Sequence, residues 1–224
     1  MNVYIRQNEL QNAYIGEYQE WWQPWANTVA YYPLKSDFND ASWNGYNLYN
    51  SWGSITTFNG IDCAYYSGNS SVYSENSSVP VWETRTINFR SYLPEDRYDI
   101  VVFTWQWTYG RVWVGYTVDN SICVWAMTDF EVYWMSWNTP IWWKWVNIVW
   151  VVEWYNVYLY INWELDTSGT RSVKSSSTTR LRVWGTGGNE WFKGYVNEVI
   201  FEDKARTAQE IADYYNQTKS DYGL

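Results

Sequence analysis

Three groups of residues in this chain have the types and spacing to do chemistry. Trp105, Trp107, Tyr109, Arg111, Trp113 and Tyr116 crowd one short stretch with aromatic rings and a guanidinium. Exposed rings take the apolar faces of sugars, and polar neighbours satisfy the hydroxyls, so this set is the candidate ligand-binding surface. Rings of this kind also fill cores, and that reading stands beside the first. Asp37, Asn39 and Asp40 offer hard oxygen ligands of the kind Ca2+ takes. Their spacing is not that of an EF-hand, and an Asx-rich turn bonding its own backbone would use the same residues. Glu198 and Glu202 are the strand acids that a glycosidase reading would need. A retaining enzyme holds its carboxylates about 5–5.5 Å apart. Four residues of strand put these two about 13 Å apart, with Ile200 between them. No enzyme is expected, and no catalytic residue is assigned.

Composition narrows the field further. The chain has 224 residues, a net charge of −9 and no His. An acidic chain without basic clusters argues against nucleic acid as a partner and against an anionic membrane surface. The missing His removes the usual general base, the commonest zinc ligand and every His-containing triad. Cys63 and Cys123 read as buried thiols more readily than as a disulfide. MNVYIRQNEL has no apolar core, so no signal peptide is visible. The most apolar run, 141–152, is too short for a membrane span and contains Lys144 and Asn147.

The elements that must position these groups are strands. KWVNIVWVVEWYNVYLYINWELDTS, residues 144–168, holds two β-branched and aromatic runs, 146–152 and 157–161, joined through Glu153, Trp154, Tyr155 and Asn156. This is the expected central hairpin. Before it come a strand over 28–34, a polar loop over 35–50, and a hairpin of 55–58 with 61–66 about Asn59-Gly60. Residues 67–78 read as loop, and 84–92 alternates Thr86, Asn88 and Arg90 against Ile87, Phe89 and Ser91. Strands follow at 98–105, 111–118, 122–127 and 131–135, at the spacing of sandwiches and barrels. A Ser/Thr-rich loop at 167–179 precedes strands at 180–184 and 193–201. The one expected helix is 204–215, with Thr207 and Glu210 as a capping box and Ala208, Ile211, Tyr214 and Tyr215 on its apolar face. Short strands at 3–6 and 13–18 belong to an N-terminal attachment segment, 1–25; the main domain is 26–217, and 218–224 is a tail. The class is all-β: a two-sheet antiparallel jelly-roll sandwich with one short C-terminal helix.

Four motifs in order resemble the laminin-G-like, concanavalin A-like jelly rolls. Trp191–Phe201, WFKGYVNEVIF, is similar to the family's final strand, F-x-G-x-[IV]-[DN]-E-V, and RTAQEIADY to the segment that follows it. Trp145, Ile148, Leu159, Tyr160, Ile161 and Asn162 match the hairpin pattern ending Y-[VI]-N-G. VAYYPL followed by Asp37, Asn39 and Asp40 resembles the opening strand and loop. The resemblance covers residues 28–216. It implies a glycan or cell-surface polysaccharide as partner, Ca2+ at a sandwich rim, and a structural role for Glu198. Residues 1–25 resemble the leaders of phage virion-associated proteins, which implies other virion proteins as partners and a virion or extracellular location. Membrane insertion is not implied. The expected function is non-catalytic recognition or adhesion, and the alternative is a structural virion or surface module that binds no sugar.

The departures from the family pattern share one theme. Trp stands where the family has Gly at Trp163, Trp43, Trp52 and Trp184, with Trp154 a weaker case. A two-residue Asn-Gly turn needs φ > 0, and a bulky residue there costs about 1–2 kcal/mol. Either some of these codons are UGA, read as Gly by the source organism, or the surface is Trp-rich in earnest.

Overall fold

The computed structural model describes residues 27–49, 53–68, 74–81, 84–94, 99–105, 111–116, 122–127, 132–136, 143–170, 176–183 and 192–223; for most of the second sheet it describes backbone pairing. The strands expected at 3–6 and 13–18 lie outside the described residues. Among the described residues fourteen strands run in chain order: β1 Thr28–Tyr32, β2 Ser54–Phe58, β3 Ile61–Ser67, β4 Ser74–Val81, β5 Arg85–Tyr92, β6 Asp99–Trp105 and β7 Arg111–Tyr116. They continue with β8 Ile122–Met127, β9 Val132–Ser136, β10 Trp145–Glu153, β11 Asn156–Ile161, β12 Glu164–Thr170, β13 Ser176–Val183 and β14 Lys193–Glu202. Helix α1, Ala208–Thr218, and a 3-10 turn, Lys219–Tyr222, follow.

All pairings are antiparallel and fall into two sheets. The larger has the order β12-β11-β10-β5-β14-β3-β2, with β1 also on β14; the smaller has β4-β13-β6-β7-β8-β9. The consecutive runs β10 to β12 and β6 to β9 are joined to the rest through distant strands, β5 beside β14 and β13 beside β4, so neither sheet is a simple meander. The chain therefore has the expected all-β sandwich with one short C-terminal helix. Among the described residues no helix is long and apolar enough to cross a membrane.

The centre of the larger sheet is buried on both faces, which explains its composition. In β10, Val146, Ile148, Trp150 and Val152 join the main core with Ile87 and Phe89 of β5, while Val149 and Val151 pack with Tyr160 and Ile211 of α1. A strand covered on both sides reads as a continuous apolar run, as WVNIVWVV does. In β5 all eight residues are buried, so the polar half of its alternation faces the helix rather than solvent. Burial of a side chain such as Ile211 contributes about 1.5–3 kcal/mol, enough to dock a short helix.

Strand β14 carries the bulge that sets its register. Asn197 pairs with Arg90 and Val199 with Phe89, leaving Glu198 as the extra residue at φ 53°. One inserted residue flips the alternation, so Val196 before it and Val199 and Phe201 after it all reach the main core. Gly194 precedes the bulge for a steric reason: a Cβ there would sit 2.6 Å from the Tyr92 carbonyl oxygen.

Several expectations require correction. Residues 74–78 form strand rather than loop, because the polar edge strand β4 takes its order from the β13 ladder and not from its own propensity. The loop expected at 167–179 is likewise shortened from both ends, by β12 reaching Thr170 and β13 starting at Ser176. Strand β1 stops at Tyr32, and Leu34 is at φ 53°. Helix α1 begins after Thr207, whose hydroxyl accepts from the Glu210 N–H at 3.2 Å while Glu210 accepts from the Thr207 N–H at 2.8 Å. The capping box is as read, but it moves the helix start from 204 to 208 and leaves Ala208 exposed. Trp163 is not in left-handed space; Asn162 takes φ 61°, and the Trp163 ring lies 4.9 Å from that of Tyr215. Asn tolerates this region better than any aromatic, so the strain falls one residue earlier.

Candidate ligand-binding cleft

At one end of the larger sheet four pieces of chain enclose a cleft of about 440 Å³. The β2–β3 turn supplies Asn59 and Gly60, both at positive φ as a type I′ hairpin turn demands. Tyr92 ends β5, Trp143, Lys144 and Trp145 lead into β10, and Ser220 to Gly223 come from the C-terminal turn. The floor is aromatic and packed: Tyr92 and Trp145 rings stand 5.9 Å apart, and Trp145 and Tyr222 rings 6.2 Å apart. Behind them Ile61 and Cys63 complete the cluster, and the Phe58 and Tyr195 rings stack at 3.9 Å. Cys63 is a free thiol, as expected, and burial pushes its pKa up to about 12.

The rim is polar and exposed, with Lys144, Asp221, Asn59 and Ser220 in solvent. The Trp145 indole N–H is buried and has no hydrogen-bond partner among the described residues. The exposed, mixed hydrogen-bonding groups of the rim, above packed rings, suit a ligand with several hydroxyls. The cleft depends on the C-terminal turn, which is held by Tyr222: the Arg90 guanidinium lies 3.8 Å from its ring centroid.

Arg90 leads into a second cluster, beneath α1. Its Nη1 is 3.4 Å from Glu198 Oε1, and its Nη2 donates to the Thr218 hydroxyl. Glu198 also accepts from the Tyr214 hydroxyl and, at 3.5 Å, from Tyr31. Burial would lower the Arg90 pKa, but Glu198, Tyr214 and Tyr222 more than offset it and leave it raised. Burial raises Tyr214 well above its ordinary value, with the Glu198 charge adding to the effect. Farther along β14, Glu202 accepts from Arg206 at 2.5 and 3.1 Å. Burial lifts the Glu202 carboxyl, and Arg206 only partly offsets it. Both acids considered for hydrolysis are thus buried and spent on holding the helix.

The expected calcium ligands organise their own loop. Asp40 Oδ1 accepts from the N–H groups of Tyr31 and Ser42, and Oδ2 from that of Tyr46, each at 2.9 Å. Asp37 Oδ1 accepts from the Asn39 N–H at 2.9 Å. Of the expected aromatic set, Trp107 and Tyr109 lie outside the described residues. Trp105 is on β6, and Arg111, Trp113 and Tyr116 are on β7, its neighbour; Trp113 is in register with Phe103 and Trp125. Sequence reasoning missed the cleft. Asn59-Gly60 and the aromatic run at 143–145 were visible signals, but nothing in Ser220–Gly223 says that it folds back beside them.

No family model and no curated protein matches the sequence. Solved structures do match. The binding domain of Paraclostridial Mosquitocidal Protein 1 superposes with a TM-score of 0.71 at 15% identity, over 87% of this chain and 53% of that one. Domain 4 of an extracellular arabinanase from Geobacillus stearothermophilus, in complex with arabinotriose, gives 0.67 at 15%, over 84% and 98%. What they share with this chain is the β-sandwich fold. The botulinum neurotoxin serotype D ligand-binding domain, in complex with N-acetylneuraminic acid, gives 0.66 at 14%, over 85% and 51%. This chain thus spans about half of each toxin domain and nearly all of the arabinanase domain. At these identities only the fold is shared, and function does not follow from it alone.

Proposed function

We propose that this chain is a non-catalytic recognition domain for a glycan or surface polysaccharide outside the cell, and that it binds in the cleft at Trp145, Tyr222, Lys144 and Asp221. The observation that carries the reading is the cleft itself, where packed rings lie beneath an exposed polar rim. The sugars bound by the arabinanase domain and the serotype D domain support this class of ligand. We also propose Ca2+ at Asp37, Asn39 and Asp40, a phage particle as the setting, and other virion proteins as further partners. The surface of Trp105, Trp107, Tyr109, Arg111, Trp113 and Tyr116 is proposed as a second ligand contact.

The test is a glycan array followed by calorimetry with arabino-oligosaccharides and sialylated oligosaccharides, with and without a calcium chelator. Saturable binding that Lys144→Ala and Asp221→Ala abolish, in variants with unchanged circular dichroism, is expected. Stable self-assembly with no glycan bound would instead make the chain a structural surface module. Polysaccharide turnover lost in Glu198→Gln would make it an enzyme.

A further inference from the structure

The non-glycine residues at positive φ among the described residues sort by what holds them there. Asn59 and Asn162 are the residue type that tolerates left-handed space. Leu34 and Glu198 are buried, Leu34 in the main core and Glu198 in its ion pair, so packing and charge offset their strain. The remaining three are all tryptophan: Trp43 at φ 71°, Trp143 at 61° and Trp154 at 56°. These residues are 86%, 69% and 63% exposed. An exposed ring gains little from burial, so nothing visible offsets the backbone cost.

Their local settings are those of glycine. Trp154 is the first of two residues in a hairpin turn closed by the Glu153–Asn156 pair, the place where a positive φ ordinarily calls for Gly. Trp43 lies in a turn held by Asp40 on the Ser42 N–H and by Ser42 on the Asn44 N–H, with Gly45 two residues on at φ 76°. Trp143 turns the chain into β10 and donates its N–H to the Leu93 carbonyl at 3.1 Å. By contrast Trp145, packed between Tyr92 and Tyr222, has ordinary backbone and many contacts. Trp163 has a ring partner in Tyr215 and no positive φ, so it falls outside the set.

We infer that positions 43, 143 and 154 are glycine positions, specified by UGA codons that the source organism reads as glycine. The inference does not rest on the glycan reading. It does reshape the cleft, whose mouth loses the Trp143 ring and whose aromatic surface reduces to Tyr92, Trp145 and Tyr222.

Peptide mass spectrometry of the protein purified from its native source, read against the gene, decides the matter. Glycine at 43, 143 and 154 with tryptophan at 145 is the expected result; tryptophan at the three positions, or UGG codons there, overturns it. Strain is tested separately by Trp43→Gly, Trp143→Gly and Trp154→Gly in recombinant protein. Each should raise the thermal midpoint by about 2–4 °C for every kcal/mol of strain relieved. A lowered midpoint in all three would overturn the inference that these backbones are built for glycine.

Discussion

The two polar clusters that meet at Arg90 use similar residues to opposite ends. Beneath α1, Arg90, Glu198 and Tyr214 are buried and turned on one another beside a half-buried Tyr31, and Glu202 and Arg206 form a second buried pair farther along. At the cleft, Lys144, Asp221, Asn59 and Ser220 stand in solvent above a floor of rings. Tyr222 belongs to both, facing Arg90 on one side and Trp145 on the other. The contrast shows that an acid on a strand is no guide to chemistry until its partners are known. Glu198 looks like a catalytic candidate in one dimension and is a structural anchor in three.

That contrast can be broken experimentally. Arg90→Met leaves Glu198 buried without its cation, and denaturant unfolding should show a loss of about 3–5 kcal/mol. Replacing both partners with apolar residues of similar volume should recover much of it; a small loss in the single variant would mean that the cluster does not hold the helix. Thr207→Ala removes the cap on α1 and should cost about 1 kcal/mol by the same measurement.

Glu202 sharpens the comparison through pH. Its folded pKa is raised above the ordinary 4.5 by burial. Such a carboxyl holds its proton more tightly when folded, so its contribution is fully present below the unfolded value and is lost as pH rises through the folded one. Unfolding curves for the protein and for Glu202→Gln, taken on either side of the normal carboxylate range, should show the variant gaining on the parent as pH rises. The smallest effect is expected in the cleft, where Lys144→Ala should change stability by no more than about 0.5 kcal/mol. A larger loss there would mean that the rim is structural too.

Much of the fold was legible because the signals were local. Asn59-Gly60 announced its hairpin, Thr207 and Glu210 announced the cap, and the apolar run of β10 announced a covered strand. Strand β4 was not legible, since SENSSVPV has no alternation and borrows its ladder from β13. The bulge at Glu198 left a trace, the spacing of Val196, Val199 and Phe201, that period-two reading passes over. The cleft was less legible still, because its walls come from residues 59–61, 92, 143–145 and 220–223.

By itself, then, the amino-acid sequence determined the all-β class, the C-terminal helix with its cap, the absence of any His-based chemistry, and the anomaly of tryptophan in turns. These depend on period, composition and residues a few positions apart. Only the tertiary structure decided that Glu198 and Glu202 are buried anchors, that Trp43, Trp143 and Trp154 carry positive φ while Trp163 does not, and that the C-terminal turn walls a cleft. Those outcomes depend on which distant segments cover which faces, and burial, not residue type, sets whether a charge or a ring is free to meet a ligand.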